Sequence, residues 1–391
     1  MRRYGGLLGL ALALGVVAWL ARPDARVRPQ PQSARALSAD RMAAAPAALA
    51  ATPGADAAAV AAADDDSPAM LACTAAYRDA LRAQLESRAA GADARTQLIA
   101  AALAQRLYGD DPEEADVRTG TALARARELA PDDALVAWTA AGSCYPQVGC
   151  DRLEALDHLL QVEADNGAAW LFALAEAALR QDQASIDAAL AAAARAPRYD
   201  SHFGDLPLAA MEWMRAVPYP RECHQAASEW GDRLGLARPA TQADHVALVA
   251  VPMLSVEPLS GIVRVCRPDD AAASTQRVRD CVAVYTRMAG SDTLVARRIA
   301  LRMLVQYTAD QADGVQWRER LRAQEWLMEQ GLRLPRAAAG WAAGQFTLGE
   351  VPMLQATLER SGRWPPPAGW LPRNPRDRAL VTTGRPPSGM R

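Results

Sequence analysis

Three short stretches decide the fold: Leu129-Ala130-Pro131-Asp132-Asp133, Val162-Glu163-Ala164-Asp165-Asn166 and Arg195-Ala196-Pro197-Arg198-Tyr199. Their centres, residues 131, 164 and 197, are separated by 33 and 33 positions. Each is a proline or aspartate break, and each leads into apolar sequence that carries an aromatic residue: Trp138, Trp170 and Phe203. One period holds two helical patterns, residues 167 to 180 and residues 182 to 194. A period of about 33–34 residues built from two helices is the mark of a stacked helix-pair array, because one pair cannot bury its apolar face alone.

Working outward, composition agrees with helices. Apolar residues make up 51% of the 391 positions, yet aromatics only 5%. Alanine fills the difference, and alanine loses no side-chain entropy in a helix. No long segment alternates apolar and polar residues, which argues against a sheet. The expected class is all-α, an antiparallel helix-pair array. All 43 basic residues are arginine. A phosphate loop with its lysine, a Schiff-base lysine and a serine-lysine dyad are therefore excluded. Net charge is −2, so no global field directs the chain to nucleic acid.

The stretch from Thr121 through Trp138, and a second copy made of Trp170, Leu174, Ala175 and the run 188–194, resemble the tetratricopeptide repeat family. The resemblance covers residues 110 to 205. It departs from the family at the short turn near Gln181 and in the missing tyrosine of the first helix. What it implies is a solenoid whose concave face binds another protein.

Arg2 and Arg3 precede an uncharged apolar run from Tyr4 to Ala21. Positive charge before such a run holds that end in the cytoplasm. Residues 1–21 are expected to form a signal anchor or transmembrane helix; a cleaved signal peptide is the rival reading. Residues 22–66, rich in alanine and proline, hold too few large apolar groups to offset the entropy of ordering and are expected to be a disordered linker. The helical domain is expected over 67–365, with possible halves at 67–205 and 206–365. It opens on Ser67-Pro68 as N-cap and first helical residue. Later helices are expected from Pro220 to near Gly235, after a Ser291-Asp292 cap, over 310–330, and over 347–360. Residues 366–391 form a proline- and arginine-rich tail, expected to be solvated, with a docking arm as the alternative.

The six cysteines are Cys73, Cys144, Cys150, Cys223, Cys266 and Cys281. An even number behind an export signal points to disulfides in an oxidising space. Cys144 and Cys150 flank a loop, and Cys266 and Cys281 are 15 apart, so both local pairings are expected. Cys73 and Cys223 either pair with each other or stay as buried thiols. No two cysteines have zinc-knuckle spacing, and no metal or cofactor is implied.

No sequence motif of catalysis is present. Cys223 adjoins His224, but helix neighbours point about 100° apart and do not face each other. His158 is expected to be a structural histidine. Trp341, Trp364 and Trp370 cluster near prolines and suggest an aromatic surface. The leading expectation is a non-catalytic, membrane-tethered domain in the periplasm that binds an unidentified protein partner in the cell envelope. A carboxylate-dependent glycan hydrolase and a purely structural spacer are the alternatives.

Overall fold

The computed structural model describes residues 67–88, 93–144, 149–234, 236–250, 253, 257–270, 273–331 and 339–387. Eighteen helices and no strand are present among them, so the chain is all-α. The first seven helices are α1 (Pro68–Arg88), α2 (Ala94–Leu107), α3 (Pro112–Leu129), α4 (Ala134–Ser143), α5 (Arg152–Val162), α6 (Gly167–Arg180) and α7 (Gln183–Arg195). Aspartate or asparagine caps six of them. Asp93, Asp111, Asp133, Asp151, Asn166 and Asp182 each accept a hydrogen bond from an amide of the first turn, which would otherwise lack a partner. The caps Asp133 and Asn166 come from the 33-residue breaks.

The second run comprises α8 (Asp205–Arg215), α9 (Arg221–Gln225), α10 (Ala227–Arg233), α11 (Gln242–Ala250), α12 (Leu259–Val265) and α13 (Thr275–Met288). It closes with α14 (Leu294–Tyr307), α15 (Gly314–Gly331), α16 (Ala339–Leu348), α17 (Glu350–Arg360) and α18 (Pro375–Thr383). Sequence neighbours pack as pairs: α2 on α3, α4 on α5, α6 on α7, α14 on α15. The second run also packs back on the first, α8 on α2, α9 on α1, α12 on α6 and α13 on α7. Gly261 in α12 allows a close approach to α6, because a Cβ there would lie 2.7 Å from the Ala175 Cα.

These long-range pairings set the cores. One core joins Leu98, Leu103 and Leu107 to Met211, Met214 and Val246. Another joins Leu171, Leu174 and Leu190 to Ile262, Tyr285 and Leu304. Both cross the line between residues 205 and 206, and each side of it supplies residues to the same buried cores. No described helix is long and apolar enough to cross a membrane. The expected anchor and linker, residues 1–66, lie outside the described residues.

Three expected boundaries shift. The helix expected over 347–360 is two helices, because Gly349 takes a left-handed backbone (φ 86°) between α16 and α17. The segment after Pro220 breaks at Ala226 into α9 and α10. The helix after Ser291 is capped by Thr293, with the Thr293 amide bonded to Ser291 Oγ at 3.2 Å.

The tail is the largest correction. Instead of a solvated arm, residues 375–383 form α18, whose Leu380 and Val381 join a buried core. Its Asp377 is buried and pairs with Arg298 at 2.8 Å and Arg302 at 3.3 Å, both on α14, while Arg298 also holds Glu325 of α15 at 2.6 Å. Counting charge along the tail hides this, because its one acid faces inward to partners far away in sequence while Arg373, Arg378 and Arg385 face solvent.

Candidate functional site

All six cysteines are paired: Cys73 with Cys223, Cys144 with Cys150, and Cys266 with Cys281. The bridge between residues 73 and 223 ties α1 to α9 across 150 positions. Its surroundings are aromatic. His245 Nε2 lies 4.0 Å from Cys73 Sγ, and Tyr219 Oη bonds His245 Nδ1. Trp230 meets the His245 ring edge-on at 5.0 Å. His224 is exposed and faces Tyr219, so the adjacent Cys223 and His224 form no pair. His158 is half-buried and bonds the Pro131 carbonyl at 2.7 Å, a structural tie between α5 and the first break.

The densest chemistry lies where the second and third breaks meet. A parallel bridge pairs Asn166 with Arg198. The Gly167 amide donates to the Arg198 carbonyl at 2.9 Å, and the Asn166 side chain donates to the Asp200 carbonyl at 2.8 Å and to Glu163 Oε2 at 2.7 Å. These two loops, 33 residues apart in sequence, lie side by side.

Glu163 is 1% exposed and His202 is 8% exposed. His202 Nε2 donates to Glu163 Oε2 at 3.0 Å, and Nδ1 donates to Asp205 Oδ2 at 2.8 Å. Arg198 also donates to Glu163. Burial pulls the His202 pKa down, but its bonds to Asp205 and Glu163 outweigh burial and raise it to about 9. Burial pushes Glu163 up, and the bonds from His202, Asn166 and Arg198 overcome this and lower it to about 2. The pair is therefore an imidazolium against a carboxylate at neutral pH. His202 has a left-handed backbone (φ 49°), uncommon outside glycine, and its ring packs edge-on to Trp138 at 5.1 Å. The two ring-nitrogen bonds hold that conformation.

Two acids on the far side of this network are arranged differently. Glu257 precedes α12 and is 1% exposed. Tyr199 Oη donates to its Oε1 at 2.5 Å, while Oε2 has no hydrogen-bond partner. Ser201 Oγ, also buried, has none either. Burial first, then the neighbouring Asp292 and Asp200 carboxylates, push the Glu257 carboxyl above the usual range despite the bond from Tyr199. Asp292 precedes α14. It is exposed at the surface yet crowded by protein on its inner side, and burial, Asp200 and Asp205 push it up. No cation pairs with Glu257 or Asp292 among the described residues.

Helix starts explain the accumulation of acid. The N-termini of α6, α8, α12, α14 and α17 are tied together here. The Val351 amide of α17 bonds the Asp292 carbonyl at 2.9 Å, and Glu350 accepts from the Leu294 amide of α14 at 2.9 Å. Gly204, at the start of α8, lies against the Phe346 carbonyl of α16, where no Cβ would fit. Carboxylates near helix N-termini are favoured by the partial positive charge of the first turn. Among the described residues, no three His, Cys, Asp or Glu side chains are gathered so as to hold a metal ion.

Sequence reasoning quoted Glu163, Asp165, Asn166, Arg198 and Tyr199 only as members of the three breaks, and did not single out His202. It missed Glu257 altogether. The available signal was the 33-residue spacing, which places residues 163–166 and 196–199 at equivalent positions. The expected aromatic surface is partly packed: Trp326 and Trp370 meet edge-on at 5.0 Å, Trp364 is half-buried against α15 and α17, and the Trp341 side chain lies outside what is described. Compared with known protein families, curated proteins and solved structures, the chain matches none of them.

Proposed function

We propose that the chain is a membrane-tethered, exported helical scaffold that binds another protein of the cell envelope. The observation that carries this reading is the set of three disulfides inside an all-α body. Disulfides persist in oxidising compartments, which agrees with the charged-then-apolar N-terminal sequence. The pairing of α4 with α5 and α6 with α7 supports the tetratricopeptide-like array. Leu129, Leu153 and Leu179 support a binding face. They are exposed, and ion pairs from Arg127 to Glu154 and from Arg152 to Glu176 set their helices side by side. Crosslinking in intact cells, followed by capture of the chain, tests the proposal. A reproducible protein partner that L153D and L179D weaken supports it. Absence of any partner overturns it and leaves the spacer reading.

A carboxylate-dependent glycan hydrolase is the second reading, and Glu257 favours it. An acid whose pKa burial raises, with a second and more exposed carboxylate nearby, is the kind of pairing that glycoside hydrolysis uses. Incubating the purified chain with cell-wall glycan tests it: release of fragments that E257Q abolishes supports hydrolysis, and no release sinks it.

A further inference from the structure

The proline-rich loop before α18 is fastened along one face of α15. Arg322, Trp326, Glu329 and Gln330 follow one another at helical spacing and share that face. Trp326 Nε1 donates to the Arg363 carbonyl at 2.9 Å, and Arg363 bonds the Gln330 side chain. Arg322 donates to the Pro367 carbonyl at 3.1 Å, and Glu329 accepts from the Arg373 amide at 3.0 Å. Trp370 packs edge-on against Trp326 at 5.0 Å. Arg378 of α18 donates to the Pro372 and Arg373 carbonyls at 3.1 and 3.3 Å. Helix, loop and α18 thus present one fixed surface. Its outer side is apolar: Leu371 is 39% exposed, Pro367 is exposed and Trp370 is half-buried, its indole N–H without a partner among the described residues. Its rim is basic. Arg322 pairs with Glu319, and Arg373, its side chain 79% exposed, lies 3.7 Å from Glu329. Arg363 and Arg378 have no carboxylate partner among the described residues. The one acid over 363–383, Asp377, is turned inward to Arg298 and Arg302 and offsets none of this charge.

We propose that this surface docks the folded body onto an anionic lipid bilayer. A tryptophan with an apolar body and a free N–H suits the boundary between headgroups and acyl chains, and Leu371 beside it supplies a side chain that gains from leaving water. The arginines suit the lipid phosphates, which a guanidinium bonds as a fork while the negative surface potential draws it in. An apolar tip inside a basic rim is the arrangement by which a protein lies on a membrane without crossing it. The contacts to α15 hold that tip and rim in place before the bilayer is met, so little ordering entropy opposes docking. The inference rests on the membrane-tethered reading, which puts a bilayer within reach.

Hydrogen exchange of the full chain, read by mass spectrometry, tests the surface in vesicles of phosphatidylcholine alone and of phosphatidylcholine with phosphatidylglycerol. Amides over 368–371 should exchange more slowly in the anionic vesicles only, by roughly fivefold for each arginine engaged. High salt should abolish the difference. R363Q/R378Q should abolish it by removing charge, and L371S should weaken it with every charge kept. Should R363Q/R378Q loosen the loop, L371S, at an exposed side chain, decides alone. Equal exchange in the two kinds of vesicle, or slowing that L371S leaves intact, overturns the proposal. Soluble polyglutamate is a further arm: slowing equal to that in anionic vesicles assigns the surface to an acidic protein and overturns docking on lipid. Sedimentation with the neutral vesicles reports on the tether separately. A chain that stays in solution there counts against the tether, while the contrast between anionic and neutral vesicles still decides the docking surface.

Discussion

His202 and Glu163, 39 residues apart, share a buried hydrogen bond of 3.0 Å, and it joins the loop before α6 to the loop before α8. The imidazolium is bonded on both nitrogens, so its charge and its left-handed backbone are held by the same contacts.

Stability should fall at alkaline pH because of this one residue. The His202 pKa rises on folding from 6.5 to about 9. A raised folded value means the contribution is complete below 6.5 and is lost as pH climbs through about 9. By linkage the loss is on the order of 3 kcal/mol. Glu163 runs the other way, from 4.5 down to about 2, so its contribution is complete above 4.5 and is lost as pH falls through about 2. Urea denaturation followed by circular dichroism between pH 5 and 10 should show the alkaline slope in the native chain. H202Q should be less stable at pH 6 and nearly flat above pH 6.5. An unchanged slope in H202Q would sink the assignment.

Removing the Asp377 carboxylate should be far worse than removing an exposed one. D377A leaves Arg298 and Arg302 with less than a full set of partners in a buried setting, and breaking such a network typically costs about 3–5 kcal/mol. D310A breaks the exposed pair with Arg385 and should cost less than about 1 kcal/mol. Denaturant midpoints rank the two. Proteolysis after Arg378 and Arg385 should accelerate in D377A alone, because α18 is then loosely docked.

The disulfides should differ in worth according to the loop each closes. Loop-closure entropy gives roughly 5 kcal/mol for Cys73–Cys223, 3 for Cys266–Cys281 and 2 for Cys144–Cys150. Paired alanine variants, melted without reductant, should lose stability in that order. If removal of Cys73 and Cys223 proves the mildest, then α1 is held mainly by packing against α9 and α2.

Two glycine substitutions should have opposite signs. A Cβ on Gly261 would press on the Ala175 backbone at 2.7 Å, so G261A should force α12 from α6 at a cost of about 1–3 kcal/mol. Gly142, within α4, has 3.8 Å to its nearest neighbour, Phe172. G142A should therefore gain about 0.5–1 kcal/mol from helix propensity. Thermal midpoints separate them, and a destabilised G142A would show that the contact with Phe172 is tighter than 3.8 Å implies.

Legibility followed the range of the interaction. Helix starts could be read at Ser67, Asp133 and Asn166, because a cap and its amides lie within three residues of each other. The two local disulfides could be read because each closes a short loop. The charged hub could be read only in part. Spacing placed residues 163–166 and 196–199 at equivalent sites, but nothing near Glu257 or Asp292 in sequence announces that Asp200 and Asp205 are their neighbours.

Sequence alone thus determined the all-α class, the helix starts at Ser67, Asp133 and Asn166, and which chemistries lack their residues, since propensity, capping and motif are properties of adjacent positions. Tertiary structure alone decided that α12 closes on α6, that Cys73 meets Cys223, that Asp377 turns a solvated-looking tail into a buried helix, and that Tyr199 donates to the buried Glu257. Each of these depends on burial, where a charge must find its partner or stay neutral. That partner is chosen by the packing of helices more than 50 residues apart, which no local pattern encodes.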